Sequence, residues 1–162
     1  MRHANKLVAI LCATVSIATH ASTTCAPVYL TFDTGHMGVA PLIADILKRH
    51  KVRVTFFAAH ERTQVGDGSL GTHWASWWKE RAAEGHEFAS HTYNHVYWRG
   101  EKHWNTTLSA TYCDELKHAS QRLQEMTGKA PLPLFRAPGV RTAPPLLATA
   151  KSCGYTHVGW SP

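Results

Sequence analysis

The side chains best suited to chemistry are two histidines four residues apart, His91 and His95 in SHTYNH, and Asp33, which ends the apolar run VYLTFD. One helical turn after a strand would place both imidazoles on one face, within reach of a single metal ion. The spacing alone is weak, because a chain with 12 histidines can produce such a pair by chance. Ser90, Thr92 and Asn94 make the neighbourhood polar, which argues against two core histidines. Asp33 could act in proton transfer, tuned by burial and neighbours, or could simply cap the following helix. Arg136, in FRAPGVR, is a third charge at a strand end and could hold a carboxylate through its planar fork. The bland alternative for it is an exposed salt bridge.

What must position these groups is a repeated β-then-α pattern. Residues 28–32 (VYLTF) read as a buried strand, and Val39, Leu42, Ile43, Ile46 and Leu47 have helical spacing over residues 39–50. A second strand is expected at 52–59 and a polar, glycine-rich surface loop at 60–72. A helix at 74–83 stops at Gly85, and a third strand follows at 86–90. Leu108, Tyr112, Leu116, Ala119 and Leu123 give the periodicity of a helix over 105–127, ended by Gly128. A fourth strand at LFR, a helix opened by Pro144 and running to Cys153, and a fifth strand at 155–160 complete the series. This alternation predicts a parallel sheet with covering helices, and acid, histidines and arginine all fall at strand C-termini, where such folds build active sites.

Composition is consistent with one domain. The chain has 162 residues, 44% hydrophobic and 17% charged, enough apolar material for a sizeable core. Residues 1–21 carry Arg2 and Lys6, an uncharged apolar run from Leu7 to Ala18, and small residues ending at Ala21, the layout of a secretory signal peptide. The expected domains are therefore a leader at 1–21 and one domain at 22–162, exported to a periplasmic or secreted location. No other stretch reads as transmembrane. Removing the leader lowers the formal charge of +6 by two, and the remaining basic residues are scattered, which argues against nucleic-acid binding. Cys25, Cys113 and Cys153 remain in a disulfide-permitting compartment, and their odd number leaves the pairing open. Trp74, Trp77 and Trp78 have the i, i+3, i+4 spacing of a buried helix face.

LTFDTG, SHTYNH and FRAPG, in this order, resemble the first three motifs of the polysaccharide deacetylases, the NodB-homology or carbohydrate esterase family 4 group. VTFFAA and EGHEFASHTYNH extend the resemblance across residues 28–160. It implies a distorted (β/α) barrel and a divalent metal, zinc foremost with cobalt, nickel or manganese as alternatives. It also implies that Asp33 is the general base, His91 and His95 are metal ligands, and Arg136 orients the base. The implied partner is an N-acetylated glycan: a chitin-like oligosaccharide, peptidoglycan or an exopolysaccharide. Trp98, Pro138 and Trp160 are the expected groove residues. Thr34 stands where the family has a metal-binding aspartate, so His36, Thr34 itself or water would fill the third position. The sequence stops at GWSP, before the family's leucine-histidine motif, so an incomplete chain is expected. A catalytically silent carbohydrate-binding relative is the alternative to an enzyme.

Overall fold

The computed structural model describes residues 26–97 and 108–160; the expected leader, Cys25, Trp98, Trp104 and the expected helix start at 105–107 lie outside them. Its elements alternate: β1 (Thr31–Asp33), α1 (Ala40–His50), β2 (Thr55–Ala58), α2 (Ala75–Ala83), β3 (Glu87–Ser90), α3 (Leu108–Thr127), β4 (Leu134–Phe135), α4 (Pro144–Ser152) and β5 (Thr156–His157). The five strands form one all-parallel sheet in the order β1-β2-β3-β4-β5. Sequential order is the topology of a (β/α) barrel wall; a doubly wound sheet would reverse direction part-way.

Register decides which residues share the chemical end. Asp33 pairs with Phe57, Ala58 with Ser90, Ser90 with Phe135, and Phe135 with His157. The segments that follow Asp33, Ala58, Ser90 and Phe135 therefore emerge side by side.

The strands are shorter than their apolar runs suggest. Val28 and Tyr29 are 92% and 84% exposed, so the expected buried strand at 28–32 narrows to Thr31–Asp33. Among the described residues β1 pairs with β2 alone, and that pairing runs from Thr31 to Asp33. In α1 the buried positions are Ala40, Ala44 and Leu47, whereas Val39, Leu42 and Ile46 face away from the core. Helical periodicity identified the element but not which side packs. The expected long fifth strand contracts to two paired residues.

Two clusters fill the core. Phe56, Phe88, Trp78, Leu70 and Leu123 pack together on one side of the sheet, with Trp74 and Trp77 partly buried against them, as the tryptophan spacing predicted. Trp78 is fully buried and donates its indole N–H to the Ser69 carbonyl at 2.7 Å. Tyr112, Leu116, Phe135, Leu146 and Ala150 form the second cluster between α3, β4 and α4. Gly128, at φ +71°, ends α3 in the left-handed region that glycine adopts without a Cβ clash.

A Cys113–Cys153 disulfide ties α3 to the end of α4 across 40 residues. Cross-linking a loop of that length restricts the unfolded chain by an amount worth roughly 2–4 kcal/mol. Reduction, or Cys153→Ser, is expected to lower the unfolding free energy by about that much in urea titrations.

His86 adds a pH dependence. It is 2% exposed, and its Nδ1 accepts the Val54 N–H at 3.2 Å, which requires a neutral ring. Burial lowers its pKa, partly offset by the Glu84 carboxylate 3.5 Å away. Above about pH 6.5 the ring is neutral in both states and its full contribution is present. As pH falls below that value, the unfolded chain takes up a proton that the folded chain resists, so stability declines. Urea unfolding between pH 7.5 and 5 is expected to show this loss, and His86→Gln to reduce it.

Candidate active site

Each functional side chain follows a strand end. Asp33 is the last residue of β1 and is 21% exposed at its side chain. Arg136 follows β4 directly and is 1% exposed, so it is no surface ion pair. Its Nη1 donates to Asp33 Oδ1 at 2.7 Å, while Nε and Nη2 donate to the carbonyls of Val158 and Gly159 at 3.1 and 3.3 Å. The guanidinium thus holds the Asp33 carboxylate through one bond and gives its other two to the chain leaving β5. The guanidinium also lies over the Phe57 ring at 4.1 Å and near Trp160 at 5.5 Å. With Oδ1 so held, Asp33 Oδ2 lies 3.9 Å from His91 Nε2.

His91 and His95 do meet, their ring centroids 4.9 Å apart, but not on the expected helical turn. Thr92 and His95 have φ of +60° and +51°, so the segment is a folded turn. Side-chain bonds hold that turn: Val96 N–H donates to Thr92 Oγ1 at 2.8 Å, and Asn94 N–H and Nδ2 donate to the Glu115 carboxylate at 2.7 and 2.6 Å. His91 is 3% exposed, and burial keeps its pKa below the ordinary value, partly opposed by Asp33. Its Nδ1 lies 2.8 Å from the Arg136 carbonyl, which can only accept, so Nδ1 carries the hydrogen and Nε2 keeps its lone pair.

The two side chains considered for a third ligand, Thr34 and His36, have different surroundings. Thr34 Oγ1 accepts the Ala59 N–H at 2.8 Å and donates to the Ala59 carbonyl at 3.3 Å, so its hydroxyl closes the gap between the ends of β1 and β2. His36 sits in the exposed turn after β1. Of the groove residues, Pro138 is buried at the start of a 3-10 turn, and Trp160 is 60% exposed.

Two site residues lacked a sequence signal. Glu61 follows β2 in the loop read as surface, yet its Oε1 lies 3.6 Å from His95 Nδ1. Burial raises its pKa, countered by His95 and His36. Tyr97 stands edge-on to His95, with 5.1 Å between centroids, and its ring lies where a Cβ on Gly139 would come within 2.8 Å. Gly139 also has φ +62°, so this close approach requires glycine. Tyr97 is 40% exposed and forms an aromatic surface beside the histidines.

A family model for polysaccharide deacetylases matches residues 20–158. The chain belongs to the polysaccharide deacetylase family. It is 32% identical over 136 residues to the peptidoglycan-N-acetylglucosamine deacetylase of Bacillus cereus, covering 82% of this chain and 55% of that protein. Among solved structures, the family 4 carbohydrate esterase PdaA of Bacillus subtilis is 29% identical with a TM-score of 0.65, over 82% of this chain and 51% of that one. The chitin deacetylase of the fungus Colletotrichum lindemuthianum is 27% identical with a TM-score of 0.65, over 81% and 54%. The chain spans about half the length of the curated relatives it matches. The α/β deacetylase fold expected from the motifs is therefore the fold of this chain.

Among the described residues no three of His, Cys, Asp and Glu are already arranged to hold a metal ion. The donor chemistry nonetheless fits one, because His91 has its Nδ1–H bound to a backbone carbonyl, the arrangement that aims the other nitrogen of a metal-binding imidazole. Among the described residues no helix is long and apolar enough to cross a membrane.

Arg136→Lys keeps the charge but cannot reproduce three bonds in one plane. It is expected to destabilise the protein by about 2–3 kcal/mol in urea unfolding, and to speed amide exchange at Thr156 and Val158.

Proposed function

We propose that this deacetylase-family chain is part of an exported, metal-dependent hydrolase that removes N-acetyl groups from an extracellular or envelope polysaccharide. The observation that carries the proposal is the placement of Asp33: one oxygen held by buried Arg136, the other 3.9 Å from the nearer imidazole of the His91–His95 pair. A carboxylate serving only as a helix cap has no need of that arrangement. In this reading His91 and His95 hold a divalent cation, zinc foremost with cobalt, nickel or manganese as alternatives. When bound, the cation supplies Lewis acidity at the acetamide carbonyl and lowers the pKa of water.

The chain's own groups do the rest. Arg136 fixes Asp33 so that its free oxygen is the one that accepts the proton of the attacking water. His91 is kept neutral by burial and keeps its lone pair on Nε2. Tyr97 and Trp160 offer exposed aromatic faces of the kind on which sugar rings stack. The water oxygen joins the acetyl carbon, the C–N bond breaks, and the products are acetate and a free amine on the sugar. Chitin-like oligosaccharide, peptidoglycan and exopolysaccharide are the substrate classes that carry such a group. Bacterial relatives named for peptidoglycan and chitooligosaccharides support this choice and an envelope or extracellular location.

The second reading, a silent carbohydrate-binding relative, draws on the Thr34 hydroxyl, which is taken by Ala59. Acetate release from N-acetylchitooligosaccharide and from peptidoglycan with added zinc or cobalt separates the two. The enzyme reading predicts metal-dependent release, abolished by a chelator and lowered about 10²–10⁴-fold in Asp33→Asn. No acetate from either substrate, with zinc bound and glycan binding retained, favours the silent reading for this length of chain.

A further inference from the structure

The environment of Glu61 is unexplained by the motifs. Its backbone is fixed on both sides by Ser69, whose Oγ accepts the Glu61 N–H at 2.8 Å and whose N–H donates to the Glu61 carbonyl at 2.9 Å. Ser69 itself is fully buried and donates its hydroxyl to the Ala59 carbonyl at 2.6 Å. The next residue back, His60, gives its N–H to the Tyr93 carbonyl at 2.6 Å, joining this loop to the histidine-bearing turn. Glu61 is therefore delivered to its place by a braced backbone.

Its carboxylate is only 24% exposed, and Oε2 is shut off from solvent with no hydrogen-bond partner among the described residues. A carboxylate so placed is unfavourable unless a donor or cation faces it. The group that does face it is His95, with Nδ1 3.6 Å from Oε1. On an imidazole, Nδ1 and Nε2 lie on different edges, so a carboxylate at Nδ1 orients the ring and leaves Nε2 for another partner. His91 has the same polarity, with Nδ1 toward the Arg136 carbonyl.

We propose that Glu61 is the positioning carboxylate of His95: closing from the present 3.6 Å, its Oε1 accepts a hydrogen bond from Nδ1–H, which turns Nε2 toward the metal and supplies next to the ring the negative charge that Thr34 lacks. This rests on the reading of the histidines as metal ligands. A charged partner on the far nitrogen makes an imidazole a stronger donor, and loss of such a partner typically weakens metal binding about 10–100-fold. Glu61 thus offsets, through His95, the neutral residue at position 34.

The test needs no turnover. Zinc affinity is measured by chelator competition for the wild-type chain, Glu61→Gln, Thr34→Asp and the double variant, with thermal melts of the metal-free proteins as a folding check. Glu61→Gln is expected to bind zinc about 10–100-fold more weakly, and the double variant to recover most of that loss. Equal zinc affinity in Glu61→Gln and wild type overturns the proposal. Independently of any variant, nitrogen-15 NMR of the metal-free wild type is expected to show His95 with its hydrogen on Nδ1, and the opposite tautomer overturns the proposal. Absence of acetate release alongside the expected zinc losses counts against turnover by this length of chain and leaves the Glu61 proposal standing.

Discussion

The site depends on the partly buried ion pair between Asp33 and Arg136, 103 residues apart in sequence and 2.7 Å apart in space. Their strands are not neighbours, because β2 and β3 lie between them. In a flat sheet, three strand spacings would put the two strand ends about 14 Å apart, beyond what the two side chains can bridge comfortably. The wall must therefore curl, bringing the end of β4 back toward β1. The Phe57 ring fills the inside of that curve beneath the guanidinium. Arg136 reaches β5 as well through the Val158 and Gly159 carbonyls, so one side chain draws together three strand ends.

From that arrangement the histidine pair inherits its chemistry. The carbonyl of Arg136 fixes the hydrogen of His91 on Nδ1, while the side chain of the same residue fixes Asp33. The Asp33 carboxylate and the His91 imidazole are thus both held by one residue. His95 lies on a turn held by Glu115 of α3 and by Thr92, and so depends on packing outside the sheet.

Charge at the site is distributed differently from what the motif pattern alone suggests. Position 34 is neutral, and its hydroxyl completes the backbone ladder between β1 and β2. A carboxylate nevertheless approaches the histidines from the β2 side, at Glu61, carried on a loop whose polar, glycine-rich composition reads as surface. Register explains how this works: the segments after β1, β2, β3 and β4 emerge at one level, so any of them can present a charged group to the same space.

Sequence by itself determined the order of elements, their parallel pairing, the tryptophan-lined core and the strand ends that carry Asp33, His91, His95 and Arg136. These follow from local periodicity and from motifs whose residues are close in the chain. It misjudged the extent of β1, the packed face of α1 and the helical turn through the histidines. Strand length, buried face and turn shape are set by what lies across the fold, which periodicity does not encode. Only the tertiary structure decided that Arg136 is buried, that the Thr34 hydroxyl serves the backbone, and that Glu61 and Tyr97 flank His95. The physical reason is that the Arg136, Thr34 and Glu61 contacts join segments leaving different strands, and Tyr97 is set against His95 by the fold of the turn and the close approach of Gly139, none of which local periodicity encodes.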